Sequence, residues 1–292
     1  QIEFSTSYQF TQSDVVYTGG NKNSIVGDLS SFSTAYNYFR MDYGVSEKFT
    51  FSLATGYHLN KSYEDTAAKL TSNKGIGDFI LFPRYNIYNK KRDNYRTEVT
   101  LGLGMKIPIG SHSDSTITII EIQGTDISFA QPIAMPSILQ RGTGGNDMLI
   151  YAYWFRGYQK RAFRVFANGL YIKKGYNEVG QKFGDYASLS LFASKTILRN
   201  FGLTAQLKGE SIKKVEGQDL IINVGSTGSK KLFFIPQLNY SYKSFTFFGM
   251  TELPLYQYLH GTQIASQWQF SMGVNYRFLT NNKEVGVLKA LN

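Results

Sequence analysis

From Gln267 to Phe278 the chain changes character at every residue. Trp268, Phe270, Met272, Val274, Tyr276 and Phe278 share one face; Gln267, Gln269, Ser271, Gly273, Asn275 and Arg277 share the other. A period of two is the signature of a β-strand with unlike surroundings on its two sides. Tyr95 to Ile109 repeats it. Val99, Leu101, Leu103, Met105, Ile107 and Ile109 oppose Arg96, Glu98, Thr100, Gly102, Gly104, Lys106 and Pro108. Segments with this pattern cover 2–10, 31–45, 48–61, 75–89, 95–109, 146–159, 162–174, 183–198, 201–214, 229–243, 245–258 and 264–279. Many run well past the about five or six residues of an ordinary strand. A tilted strand that crosses a bilayer core needs about nine to eleven.

Two architectures compete for such strands. A soluble sandwich would bury the apolar faces against each other. A transmembrane barrel turns them to lipid and keeps the polar faces in its lumen. The connections favour the barrel. Ser46-Glu47, Asn89 to Asn94, Lys160-Arg161, Arg199-Asn200 and Ser244 are short, whereas 11–30, 62–74, 110–145, 175–182 and 215–228 are long. Only 259–263 breaks the alternation. Tyr85, Tyr88, Tyr95, Tyr158, Tyr240, Tyr242, Tyr276 and Phe278 stand near strand ends, as interfacial girdles require. The expected fold is therefore all-β: an up-and-down antiparallel transmembrane β-barrel of twelve strands, with both termini periplasmic. Loop 110–145 holds two further β-rich stretches, 116–123 and 126–134. An external hairpin is the favoured reading; fourteen strands is the alternative. The barrel would occupy 1–280 and leave a periplasmic tail, 281–292.

Composition narrows the function classes. Charged residues are 18% and aromatics 15%, with no cysteine, which excludes a disordered chain, a disulfide scaffold, thiol catalysis and Cys-ligated zinc. No apolar run is long enough for a membrane helix. Gln1 in first place is the expected mark of a removed signal peptide. His58, His112 and His260 lie on separate elements without metal-ligand spacing. His112-Ser113-Asp114 is adjacent in sequence, but adjacency does not build a triad. No enzyme activity, metal or cofactor is expected.

Three motifs carry a family resemblance. Gly75-Ile76-Gly77-Asp78 with Phe82-Pro83-Arg84-Tyr85, Leu101 to Gly110 (LGLGMKIPIG), and Gln140 to Asp147 (QRGTGGND) resemble segments of the outer-membrane β-barrel family of phenol meta-cleavage pathway transporters. Ile109 and Arg141 replace that family's Thr and Pro. The resemblance implies a Gram-negative outer-membrane location and uptake of small, often aromatic, molecules. The Tyr, Asn and Lys content suits a Bacteroidetes-type bacterium.

Alternation assigns the lumen to Asp78, Arg84, Arg96, Glu98, Lys106, Asp147, Arg164, Lys195, Lys208, Glu210, Lys243, Glu252 and Arg277. The mixed signs predict ion pairs across a narrow tube, since twelve strands lie between a filled barrel and an open pore. Asp78 and Asp185 directly follow a glycine, Asp147 stands two residues after one, and all three are expected mainly to tie loops. Ile117, Ile119, Ile122, Phe129 and Ile133 make 110–145 a gating or partner loop. Lys61, Lys173, Lys174, Lys213, Lys214, Lys230 and Lys231 form a basic rim for lipopolysaccharide phosphates. Membrane lipids are the expected partners, with a protein partner through loop 110–145 or tail 281–292, and no nucleic acid. The leading function is passive passage of a small apolar or aromatic solute. A non-conducting accessory subunit of a larger outer-membrane complex is the alternative.

Overall fold

The computed structural model describes residues 1–23, 29–65, 70–121, 128–217 and 226–278. Tail 281–292 and Ile122 lie outside them. Twelve long strands form the wall: β1 Ile2–Ser13, β2 Leu29–Gly44, β3 Phe49–Asp65, β4 Phe79–Lys91, β5 Arg96–Ile107, β6 Asp147–Tyr158, β7 Phe163–Lys173, β8 Tyr186–Leu198, β9 Phe201–Ile212, β10 Ser229–Tyr242, β11 Phe245–Ile264 and β12 Trp268–Phe278. Each pairs antiparallel with its sequence neighbours, and β1 pairs with β12 from Ile2↔Phe278 to Gln12↔Trp268. The sheet is closed and leaves no edge along its wall.

One end carries the short turns and both ends of the barrel sequence. There the Gly44 amide donates to the Gln1 carbonyl at 2.9 Å, and the Arg277 amide to the Ser244 carbonyl at 2.9 Å. The other end carries the long connections. Val16–Gly19 and Asn21–Asn23 fold back onto the end of β11, and Leu70–Ile76 pairs with the extended end of β3. Strands Ser115–Glu121 and Ser128–Ala134 pair only with each other. Loop 110–145 is thus a hairpin outside the wall, and the barrel has twelve strands.

The outward face is apolar in every sector. Phe39, Leu101, Leu103, Met148, Ile150, Leu189, Leu191, Leu203, Leu238 and Met272 are exposed. The inward face is polar and packed, with Ser7, Ser52, Lys106, Asp147, Ser190, Thr204, Gln257 and Ser271 buried. That inversion is stable where lipid, and not water, surrounds the wall. The lumen-facing glycines of the LGLGMK segment have a steric reason. A methyl on Gly102 or Gly104 would come within 2.9 or 2.7 Å of the Phe82 ring.

Candidate functional site

The three sequence motifs converge at the long-loop mouth of the lumen. Lys106 on β5 points inward and binds two carboxylates, Asp78 at 2.7 Å and Asp147 at 3.0 Å. Its ammonium also donates to the Thr143 hydroxyl. Asp78 accepts from the Gly110 and Thr143 amides at 3.2 and 3.3 Å, which holds both ends of the long loop. Asp147 accepts from Lys174 Nζ at 2.9 Å and from the Gly175 amide at 3.2 Å. Asp185 repeats the device, accepting from the Lys174 amide and Lys213 Nζ, each at 3.0 Å. An Asp at or just before the start of a strand, directly after glycine at 78 and 185 and after Gly145-Asn146 at 147, thus supplies a carboxylate that ties the neighbouring connection.

Above this layer the feet of the loop are bonded to the wall and to each other. Leu139 is wholly buried and Gln140 nearly so. The Gln140 side chain accepts from the Asp114 amide at 2.9 Å and donates to the Asp114 and Met135 carbonyls at 3.0 Å. Arg141 grips Asp114 with two bonds of 2.7 Å, and Asn73 donates to Asp114 at 2.8 Å and to the Leu139 carbonyl at 3.1 Å. The Asp114 carboxylate is thus bonded to Arg141 and Asn73. The Arg141 guanidinium holds the Asp114 carboxyl down at about 2, from an ordinary 3.8. A carboxyl held low in the folded state stabilises it above the ordinary value, and that contribution is lost as pH falls through about 2. Hydrogen exchange should show the Met135 amide, which donates to the Asp114 carbonyl at 2.9 Å, protected down to about pH 3 and opening toward 2. Arg141→Gln should move that opening up toward pH 3.8.

The hairpin residues do not fill the mouth. Ile117 and Ile119 are 74% and 68% exposed, and Phe129 and Ile133 are exposed as well. The buried part of the loop is Leu139 and Gln140, and Gln140 and Thr143 are residues that alternation could not single out.

Deeper in the lumen, Arg84 donates to Asp42 at 2.8 Å and to the Ser52 hydroxyl at 2.9 Å, and its guanidinium lies 5.6 Å from the Phe82 ring centre. On the far wall Lys208 pairs with Glu252 at 2.6 Å and Glu210 at 3.5 Å, over the buried Phe233 ring at 4.6 Å. At the short-turn end Arg96 pairs with Glu98 at 2.7 Å and Arg277 with Glu3 at 2.5 Å. Alternation therefore brings together Asp78, Lys106 and Asp147, and separately Lys208, Glu210 and Glu252. Arg84 takes a partner, Asp42, that the sequence reading did not name.

Between these charges runs a line of half-buried aromatic rings. Phe82 meets Tyr151 edge-on at 5.5 Å; Tyr151 and Tyr153 are parallel at 6.5 Å; Tyr153 meets Phe166 at 6.2 Å; Phe166 stacks on Phe192 at 4.3 Å. The rings come from β4, β6, β7 and β8 and lie on the inward faces set by Asp147 and Ser190. The sequence reading singles out aromatics at strand ends only and does not name this line; its signal is an aromatic at the parity of a buried Asp or Ser.

Four basic positions differ from expectation. Ala35 pairs with Asn60 and Tyr36 with His58, so Leu59 is an extra residue in β3. Such a bulge reverses the facing of all that follows. Lys61 therefore points inward and donates to the Gln140 carbonyl at 2.7 Å. Lys174 turns in to Asp147, and Lys231 turns in to the Ser266 hydroxyl at 2.9 Å. Lys195, expected in the lumen, follows the buried Ser194 and is exposed on the outer wall. Lys173, Lys213, Lys214 and Lys230 remain exposed at the rim, Lys213 bonded to Asp185.

No family model and no curated protein matches this chain. Among solved structures it is similar to an outer membrane channel from Pseudomonas putida F1, with a TM-score of 0.66 and 12% identity over 95% of each chain. It is also similar to the beta domain of the Bordetella autotransporter BrkA, with a TM-score of 0.53 and 10% identity over 95% of this chain and 99% of that one. These likenesses establish the fold: a closed barrel of the kind found in outer-membrane proteins.

Proposed function

We propose that this chain is a Gram-negative outer-membrane channel that gives a small apolar or aromatic solute passive passage. The observation that carries the reading is the aromatic line Phe82, Tyr151, Tyr153, Phe166 and Phe192 along a lumen in which Arg84, Lys106 and Lys208 are each paired with a carboxylate. Paired charges attract no ion of one sign strongly, while ring faces offer a solute successive stacking partners. The motif likeness to phenol meta-cleavage transporters supports the same solute class. In the proposed orientation the termini and short turns are periplasmic, the plugged mouth is extracellular, and Lys173, Lys214 and Lys230 face lipopolysaccharide phosphates. The rings and paired ions bind and conduct; no residue is given a catalytic role.

The test is planar-bilayer conductance of the folded chain with benzenesulfonate or cyclohexanesulfonate added. We expect small steady channels that benzenesulfonate interrupts for longer than its saturated analogue. Tyr153→Ala with Phe166→Ala should bring the two dwell times together. Equal dwell times in the unaltered chain would remove the aromatic preference.

A second reading rests on the hairpin. Ile117, Ile119, Phe129 and Ile133 are exposed and its two strands form a separate two-stranded sheet, so an accessory subunit could meet a protein partner there. Silence in the bilayer from a folded barrel would favour it.

A further inference from the structure

The outer wall carries a cationic site that the channel reading does not use. On β6 the outward residues run Met148, Ile150, Ala152, Trp154 and then Arg156, which is half-buried. An arginine on a lipid-facing wall is costly at mid-depth and tolerated near the interface. Arg156 is nine residues from the start of its strand, close to the short-turn end.

Its surroundings hold it in place without neutralising it. The guanidinium lies 4.9 Å from the Tyr95 ring centre and 5.6 Å from that of Trp154, and its Nε donates to the Thr97 hydroxyl at 3.2 Å. Arg92, in the adjoining turn, lies 5.9 Å from the same Tyr95 ring. Tyr158 closes the group, 6.3 Å from Tyr95 and 6.3 Å from Phe163. Among the described residues the arginines in ion pairs are Arg40, Arg84, Arg96, Arg141 and Arg277. Arg156 and Arg92 therefore present guanidinium edges with no carboxylate. The pairings Tyr158↔Phe163 and Phe163↔Lys195 place the exposed Lys195 on the same level, two strands away.

The wall above them is hollowed. Ala152 pairs with Gly169 and Trp154 with Ala167, so two methyl side chains and a glycine adjoin on the outer face. Crowding does not require the glycine, since a Cβ at 169 would meet only the Ser188 carbonyl oxygen, at 3.9 Å. Resting on the membrane reading, we propose that Arg156 and Arg92, with Tyr95, bind the phosphate of an anionic glycerophospholipid whose acyl chain lies in the hollow over Ala152, Ala167 and Gly169. A forked guanidinium suits a phosphate, and an anionic bilayer surface adds long-range attraction.

Trp154 is a built-in reporter, because the chain has 2 tryptophans. With Trp268→Phe, the protein is placed in vesicles of matched composition with a small fraction of brominated phosphatidylglycerol or brominated phosphatidylcholine. We expect the apparent affinity read from Trp154 quenching to be about fivefold higher for the phosphatidylglycerol. Arg156→Gln with Arg92→Gln should abolish that preference, while Lys160→Gln with Arg161→Gln in the next turn should preserve it. Heat-modifiable gel migration shows that each variant is folded. Equal quenching by both lipids, or a preference that survives loss of both arginines, overturns the site. Absence of quenching by either lipid in a folded protein instead overturns the membrane reading beneath it.

Discussion

Deleting residues 113–138 is expected to raise the single-channel conductance several-fold, whereas excising only 117–132 behind a short glycine link leaves it unchanged. The two deletions separate the hairpin from the plug. The hairpin stands away from the wall with Ile117 and Ile119 exposed. The plug is the buried Leu139 and Gln140, held by Asp114, Asn73 and Lys61. Removing 113–138 takes away Asp114, and with it the acceptor for Arg141 and the amide that donates to the Gln140 side-chain oxygen. The feet can be rejoined without dragging the wall, because the Gly142 amide already donates to the Ser111 carbonyl at 2.9 Å. Twelve strands enclose more than side chains alone need to fill, so freeing the mouth leaves a wider aqueous path. Equal conductance from all three proteins would place the resistance deeper, at Arg84 and the aromatic rings. A change in the 117–132 deletion alone would return the gate to the hairpin.

Much of this architecture is legible from period two, because a closed sheet with lipid outside and polar groups inside imposes one rule on every strand. The rule yields the number of strands, their order and the mixed-charge lumen. It fails where the backbone breaks the period. The extra residue at Leu59 turns Lys61 from the rim into the lumen, and no composition signal marks it. It is also blind to pairing. Asp42 belongs with Arg84 and Ser52 only once β2, β3 and β4 are side by side. Aromatic residues escaped for another reason. Tyr151 and Tyr153 suit a girdle as well as a lumen, and only the parity they share with buried Asp147 distinguishes the two. The plug was the least legible part. Its polar residues look like any surface loop until the wall supplies Asp78 and Lys106 beneath them.

The second large effect is on stability, at Asp147. Its side chain is 1% exposed and accepts from two lysines, Lys106 at 3.0 Å and Lys174 at 2.9 Å, and from the Gly175 amide. Asp147→Ala removes one carboxylate and leaves those three donors short of an acceptor. Lys106 keeps Asp78 at 2.7 Å, but Lys174 loses its ion-pair partner in a half-closed space. Breaking a buried pair from one side costs about 3–5 kcal/mol. The urea midpoint in detergent, followed by the shift between compact and extended gel bands, should fall accordingly. Asp147→Asn keeps an acceptor for Gly175 and removes only the charge, so its loss should be smaller. Asp147→Ala with Lys174→Ala should recover part of the single-variant loss, since the stranded ammonium goes with its partner. If the double variant is instead less stable than Asp147→Ala by the full cost of a second buried defect, Lys174 holds the loop by its packing and not through Asp147. If Asp147→Ala is as stable as the unaltered chain, water reaches this layer freely and the plug above it does not seal the mouth.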